Sequence, residues 1–130
     1  MIIGLGSDLC NIERIQNSLD RFGERFLNRV FTDHERAKAA RRPHTIAGTL
    51  AKRFAAKEAI VKALGTGFAH GVWIRDVGVV QNAWGRPEVV FSHRGRQVAD
   101  SLGAGDGHVS LTDEDGLVVA VAVLMRKEAA

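Results

Sequence analysis

Two kinds of apolar spacing divide this chain. Up to about residue 67, apolar positions recur at three- and four-residue steps, the mark of helices buried on one side. From residue 72 they come as short runs broken by glycine, the mark of strands and turns. The chain opens differently: residues 2–9, Ile-Ile-Gly-Leu-Gly-Ser-Asp-Leu, read as a short strand. Gly4 and Gly6 there imply close backbone packing, and Asp8 stands near the strand end. Asn11 is a good N-cap for a helix over 12–30, whose apolar face carries Ile12, Ile15, Leu19, Phe22 and Phe26. Arg14, Arg21 and Arg25 follow one another at steps of seven and four on a second face, sorted away from Glu13, Asp20 and Glu24. Such a ridge is either a solvated surface or a dock for an acidic helix.

Thr32-Asp33-His34-Glu35 fits a capping box and starts a short helix, which must stop near Arg42 because Pro43 disfavours helix at the residue before it. The longest helix follows Pro43 and ends at Gly65-Thr66-Gly67, with Gly65 as its left-handed cap. It gathers Ile46, Leu50, Phe54, Val61 and Leu64 on one side. Glu58 falls at the edge of that stripe, where an unsatisfied carboxylate is costly. Two readings stay open: a surface pair with Lys62 worth roughly a few tenths of a kcal/mol, or a cation site to which Lys57 and Lys62 add positive charge.

The second half predicts strands over 72–81 and 88–91 around a turn at 82–87, then a helix over 93–102 capped by Ser92. A final hairpin pairs 108–112 with 117–124. The latter run is apolar at every position, which predicts a central strand buried on both faces. Residues 126–130 read as a frayed tail. The pattern gives an α+β class: an antiparallel sheet packed around a long central helix, with the N-terminal strand folding back onto it, in one domain over 1–130.

Composition narrows the function. The chain has 130 residues, 45% hydrophobic and 25% charged, as in ordinary soluble domains. A net charge of +3 suits an anionic ligand or an acidic partner without demanding nucleic acid. Cys10 is the only cysteine, which excludes an intrachain disulfide and a cysteine zinc cluster and suits a reducing cytosol. No apolar run approaches the roughly 20 residues of a membrane span, and the N-terminus has no basic region or cleavage motif of a signal peptide. A cytoplasmic location without membrane or nucleic-acid partners is expected.

The chemistry-bearing constellation is Asp8 at a strand end with Glu58, Lys57 and Lys62 on the long helix. Two carboxylates beside an anionic ligand suit Mg2+, which takes few protein oxygens and keeps water or phosphate oxygens. Lysine suits phosphate as a mobile point charge, and Gly65-Thr66-Gly67 permits backbone approach. No Walker or Rossmann glycine motif is present, and the five histidines lack metal-ligand spacing. Trp73 and Trp84 read as core and turn residues rather than a stacking platform.

Several blocks together carry a family resemblance. Ile3-Gly4-Leu5-Gly6-Ser7-Asp8-Leu9 with Ile12-Glu13-Arg14, then Phe31-Thr32-Asp33-His34-Glu35, resemble the opening blocks of the holo-[acyl-carrier-protein] synthases, small bacterial 4'-phosphopantetheinyl transferases. Arg53-Phe54-Ala55-Ala56-Lys57-Glu58-Ala59 and Lys62-Ala63-Leu64-Gly65-Thr66-Gly67 are similar to that family's signature. Gly85-Arg86-Pro87 and His108-Val109-Ser110-Leu111-Thr112 resemble its later blocks. The resemblance spans essentially the whole chain. It implies transfer of the phosphopantetheine arm of coenzyme A to a serine of apo-acyl carrier protein, releasing adenosine 3',5'-bisphosphate, in support of fatty acid biosynthesis.

By position, the resemblance implies that Asp8 and Glu58 hold Mg2+ and that Lys62 stabilises phosphoryl charge, with Glu58 and Lys62 as the catalytic pair. Arg53, Lys57, Lys62, Gly65, Thr66, Arg86, Pro87 and His108 are implied at the coenzyme. The arginine ridge of Arg14, Arg21 and Arg25 is implied as the dock for the acidic carrier, and a homotrimer with active sites between subunits is implied as the assembly. Glu58 acting through a water is the expected base. One departure stands out: many members carry a histidine after the Ser-(Leu or Ile)-(Ser or Thr) of the last block, where this chain has Asp113-Glu114. Asp113 is therefore left out of the catalytic set. A reading of another class, a non-catalytic module binding RNA or another polyanion, also suits the positive charge but leaves Asp8 and Glu58 without a purpose.

Overall fold

The computed structural model describes residues 1–128. Strand β1 (Ile2–Asn11) leads into α1 (Ile12–Phe22), α2 (Glu24–Val30) and α3 (Asp33–Ala40). A 3-10 turn at Pro43–Thr45 precedes the central helix α4 (Ile46–Leu64), and a second at Ile74–Asp76 precedes β2 (Val77–Gln81). Strand β3 (Pro87–Phe91), α5 (His93–Ser101), β4 (Ala104–Glu114) and β5 (Leu117–Arg126) complete the chain. The five strands form one antiparallel sheet in the order β1-β5-β4-β3-β2, so β1 closes against the last strand as expected.

Helix α4 lies across β1 and β5 and is buried almost all round, not along one stripe: Ala51, Ala55, Ala56, Ala59 and Ile60 are fully enclosed along with Leu50 and Val61. Small residues make the close approach possible. Strand β1 packs so tightly on α4 that a Cβ at Gly6 would come within 2.0 Å of the Ala59 carbonyl oxygen, and one at Gly4 within 1.7 Å of that of Ala63. Glycine is required at both positions. Because strand residues alternate faces, Asp8 and Cys10 point to the same side as these glycines, toward α4.

Three expectations are corrected. The helix over 12–30 is two helices: Gly23 takes φ 51°, ψ −125°, and its N–H donates to the Leu19 carbonyl, closing α1. Apolar spacing continues across the break, which hides it. The steps that aligned three arginines therefore hold for Arg14 and Arg21, while Arg25 begins a second helix. Strand β5 is internal, but only Val118, Ala120, Ala122 and Leu124 are buried. On its other face Leu117, Val119 and Val121 are 37–40% exposed, beside Leu5 at 67% and Leu9 at 60% on β1. The expected tail is ordered further than predicted, since Arg126 ends β5 and the Lys127 N–H donates to the Gly103 carbonyl at 2.8 Å; residues 129–130 lie outside the described residues.

A further boundary shifts, since the strand expected over 72–81 begins only at Val77, after the 3-10 turn at Ile74–Asp76. Three of the expected helix caps hold. Asn11 accepts from the Glu13 N–H at 2.9 Å, Thr32 and Glu35 form the reciprocal capping box, and Gly65 ends α4 in the left-handed region at φ 87°. Ser92 occupies the N-cap of α5, yet its hydroxyl donates to the Asp76 carbonyl instead of capping. Among the described residues, no helix is long and apolar enough to cross a membrane.

Candidate active site

The end of β1 and the last turns of α4 bring Asp8, Glu58 and Lys62 together. The Lys62 ammonium lies 3.1 Å from Asp8 Oδ1 and donates to the Ser7 carbonyl at 3.0 Å. Glu58 is half-buried one helical turn back. Burial pushes its carboxyl above the usual carboxylate range, and the Asp8 charge pushes the same way, against the pull of Lys62 and Arg14. Of the two readings of Glu58 and Lys62, the surface pair is set aside: Lys62 engages Asp8 across 54 residues of sequence. The group is thus two neighbouring carboxylates, one of them paired with Lys62, with the Arg14 guanidinium 5.6 Å from the Phe54 ring at its edge.

This donor set suits a divalent cation. Two neighbouring carboxylates repel one another and are relieved by a bound cation, and two protein oxygens leave coordination sites for water or phosphate, as Mg2+ prefers. Among the described residues, no cluster of three or more His, Cys, Asp or Glu side chains is placed to hold a metal, so an all-protein cage is not formed here. Cys10 is buried beside the group with its thiol pushed up by burial, and so is poorly suited to ligation.

Lys57 does not join this group, which corrects its placement at the coenzyme. Its ammonium is fully buried, 2.7 Å from Glu35 Oε1, and donates to the carbonyls of Ile74 and Val77. Glu35 Oε1 also accepts from the Thr32 N–H at 2.9 Å, so one carboxylate caps α3 and clamps α4. Sequence reasoning missed this partner because it lies 22 residues away; an acidic residue at the third position of a capping box gives no sign of a second bond.

Arg53 lies beyond Lys57 on that flank of α4. It is buried, its Nη1 has no hydrogen-bond partner, and it lines a cleft of about 400 Å3 with Lys38, Arg42, Lys52 and Pro87. The cleft is strongly basic, with Asp113 paired to Lys52 at 3.5 Å on its wall. Lys38, Arg42 and Lys52 give no sign in the sequence of sharing a wall with Arg53, because they come from α3, α4 and the segment between them. Arg86, at the β2–β3 turn, lies 3.3 Å from His108 Nδ1, so Arg86, Pro87 and His108 gather near Arg53 as a second group. At about 100° per residue, Glu58 stands some 140° and Lys62 some 180° round the helix from Arg53. The site residues therefore fall on two opposite flanks of α4.

At the helix end, the amides of Gly65, Thr66 and Gly67 all turn back to the Val61 carbonyl at 3.0–3.2 Å, which leaves them no free donor. What Gly65 offers is open backbone: a Cβ there would meet nothing within 4 Å. Arg14 and Arg21 lie exposed along α1, and Arg25 is exposed on α2. Trp73 is not a core residue as expected but 64% exposed, and Trp84 is 94% exposed in its turn.

Residues 4–122 match the model of the 4'-phosphopantetheinyl transferase superfamily. The chain is 63% identical over 118 residues to the holo-[acyl-carrier-protein] synthase of Erythrobacter litoralis, covering 88% of this chain and 89% of that one. The crystal structure of the synthase from Neisseria meningitidis superposes with a TM-score of 0.89 at 33% identity, over 97% of this chain and all of that one. A Bacillus anthracis synthase in complex with CoA (3',5'-ADP) superposes at 0.79 with 31% identity, over 98% of this chain and 99% of that one. With its paired carboxylates, its basic cleft and these relatives, the chain belongs to the 4'-phosphopantetheinyl transferase superfamily, among the holo-[acyl-carrier-protein] synthases.

Proposed function

We propose that this protein, one domain over its length, transfers the 4'-phosphopantetheine group of coenzyme A to a serine of apo-acyl carrier protein and releases adenosine 3',5'-bisphosphate. The observation that carries the reading is the junction of Asp8, Glu58 and Lys62 in a chain whose relatives bear this activity. The serine oxygen bonds to the phosphorus next to the pantetheine, and the bond from that phosphorus to the departing nucleotide oxygen breaks. Glu58 accepts the serine proton through a water. Lys62 swings from Asp8 onto the phosphoryl oxygens and stabilises the charge that develops there. Asp8 and Glu58 would hold Mg2+, which would supply Lewis-acid polarisation and neutralise pyrophosphate charge. Arg53 with Arg86, Pro87 and His108 seats the nucleotide end of the coenzyme, and Gly65 and Thr66 border the arm. Arg14, Arg21 and Arg25 receive the acidic carrier.

The working unit is a homotrimer with sites shared between subunits. Two features support this: the uncovered apolar face around Leu5, Leu9, Val119 and Val121, and the separation of site residues onto opposite flanks of α4. A cytoplasmic enzyme of fatty acid synthesis fits these substrates. The polyanion-binding alternative gives no role to the carboxylate pair. The test is to mix the protein with apo-acyl carrier protein, coenzyme A and Mg2+ and weigh the carrier. A gain of one phosphopantetheine group is expected, and no gain sinks the proposal.

A further inference from the structure

A groove of about 640 Å3 runs between α2, the loop after α4 and the start of α5, and Asp8, Glu58 and Lys62 do not line it. Phe68, Trp73 and Ile74 supply its apolar surface, and Arg29 and Arg94 stand on it. Trp73 is 64% and Phe68 36% exposed, although large aromatics are usually covered. Among the described residues, neither arginine takes part in an ion pair. Arg94 is laid along the loop: a Cβ at Gly71 would lie 3.6 Å from its Nη2 and 3.7 Å from its Nε. Gly71 has φ 90°, a conformation that fits glycine and leaves room for the guanidinium.

The groove is continuous with two features already described. Arg25 and Arg29 are one turn apart on α2, so the basic surface of the helices leads into it. Its Phe68 follows directly on Gly65-Thr66-Gly67, at the end of α4 that carries Lys62. An apolar floor between two unpaired arginines complements an apolar side chain flanked by carboxylates on an amphipathic acidic helix. We infer that this groove is a second docking surface for the carrier protein, gripping an acidic helix through Arg29, Trp73 and Arg94 and fixing which way its serine faces. The inference rests on the proposed reaction for the identity of the partner.

The test is direct binding of fluorescently labelled apo-acyl carrier protein to the full-length protein without coenzyme, alongside Michaelis constants for both substrates. Arg94→Glu and Trp73→Ala are each expected to weaken carrier binding about tenfold, since like charges across an interface repel and buried tryptophans anchor interfaces. The Michaelis constant for coenzyme A stays unchanged, and Trp73→Phe restores most of the binding. Carrier binding unaffected by either variant overturns the inference. So does a raised Michaelis constant for coenzyme A alone, which would give the groove to the coenzyme, or a change of subunit count in Trp73→Ala, which would make it a contact between copies. Wild-type protein that binds carrier through the groove but transfers nothing would refute the reaction and leave the groove standing.

Discussion

Lys62 bridges Asp8 and the Ser7 carbonyl, at 3.1 and 3.0 Å, and so ties the end of the first strand to the last turn of the central helix. The lysine occupies the carboxylate that a cation would use, so metal binding and release of Lys62 toward phosphate are coupled. Lys62→Ala is expected to lower kcat by roughly 10²–10³ while keeping a Mg2+-dependent rise in Tm. Asp8→Ala is expected to lose both turnover and that rise. A Mg2+-dependent Tm shift that survives in Asp8→Ala would remove Asp8 from the metal.

Glycine packing sets the position of Asp8 two residues further along. Gly6→Ala would force its Cβ to 2.0 Å from the Ala59 carbonyl and 2.7 Å from the Ala63 nitrogen. Strand β1 must then lift from α4. The expected outcome is a loss of at least ~1–3 kcal/mol in urea unfolding together with reduced turnover, although no site side chain has changed. Normal activity at full occupancy of the folded state would show that Asp8 tolerates the shift.

Glu35 and Lys57 form a buried charge pair at 2.7 Å, both enclosed. Removing one partner strands the other, so Glu35→Ala is expected to cost about 3–5 kcal/mol. The double variant Glu35→Gln with Lys57→Met should recover part of that loss, because no charge remains buried. Chemical denaturation of the single and double variants decides it; a double variant less stable than Glu35→Ala would mean that the bonds to Ile74 and Val77 matter more than the charge.

The same pair gives a pH dependence. Burial holds the Lys57 ammonium below the ordinary lysine range, with Glu35 opposing the shift only in part. Between the lowered value and the ordinary one, the unfolded chain binds more protons than the folded one. This group's contribution to stability therefore rises with pH across that window and is lost as pH falls through the folded value. Comparing unfolding free energies of wild type and the Glu35→Gln, Lys57→Met variant against pH should show the extra upward slope in wild type alone.

The exposed apolar face of β1 and β5 is the proposed seam between subunits. Val119→Glu combined with Leu5→Glu places charges on that part-exposed face. Sedimentation is expected to show a folded monomer without transferase activity. A trimer that persists would move the seam elsewhere.

Much of the fold and part of the site are legible in the sequence. Asn11, the Thr32–Glu35 box and Gly65 announce helix ends through local bonds, and local bonds are written in adjacent letters. Asp8 and Glu58 were legible as a pair through chemistry and family likeness together. What failed was non-local or masked. Gly23 broke a helix whose apolar period ran on past it. Lys57 reads as a phosphate-facing lysine because its partner Glu35 lies on another helix. The continuous apolar run of β5 implied cover on both faces, and one chain supplies only one of them.

If the proposed trimer forms, the division of α4 into two flanks makes a single chain half of each of two neighbouring sites. In the proposed trimer, Glu58 and Lys62 of one copy face the arginine cleft of the next. A chain disabled at Asp8 and another disabled at Arg53, each inert alone, would between them still assemble some intact junctions. Activity in such a mixed population belongs to the boundary rather than to any one polypeptide, so a damaged copy harms its neighbour and can also be rescued by it.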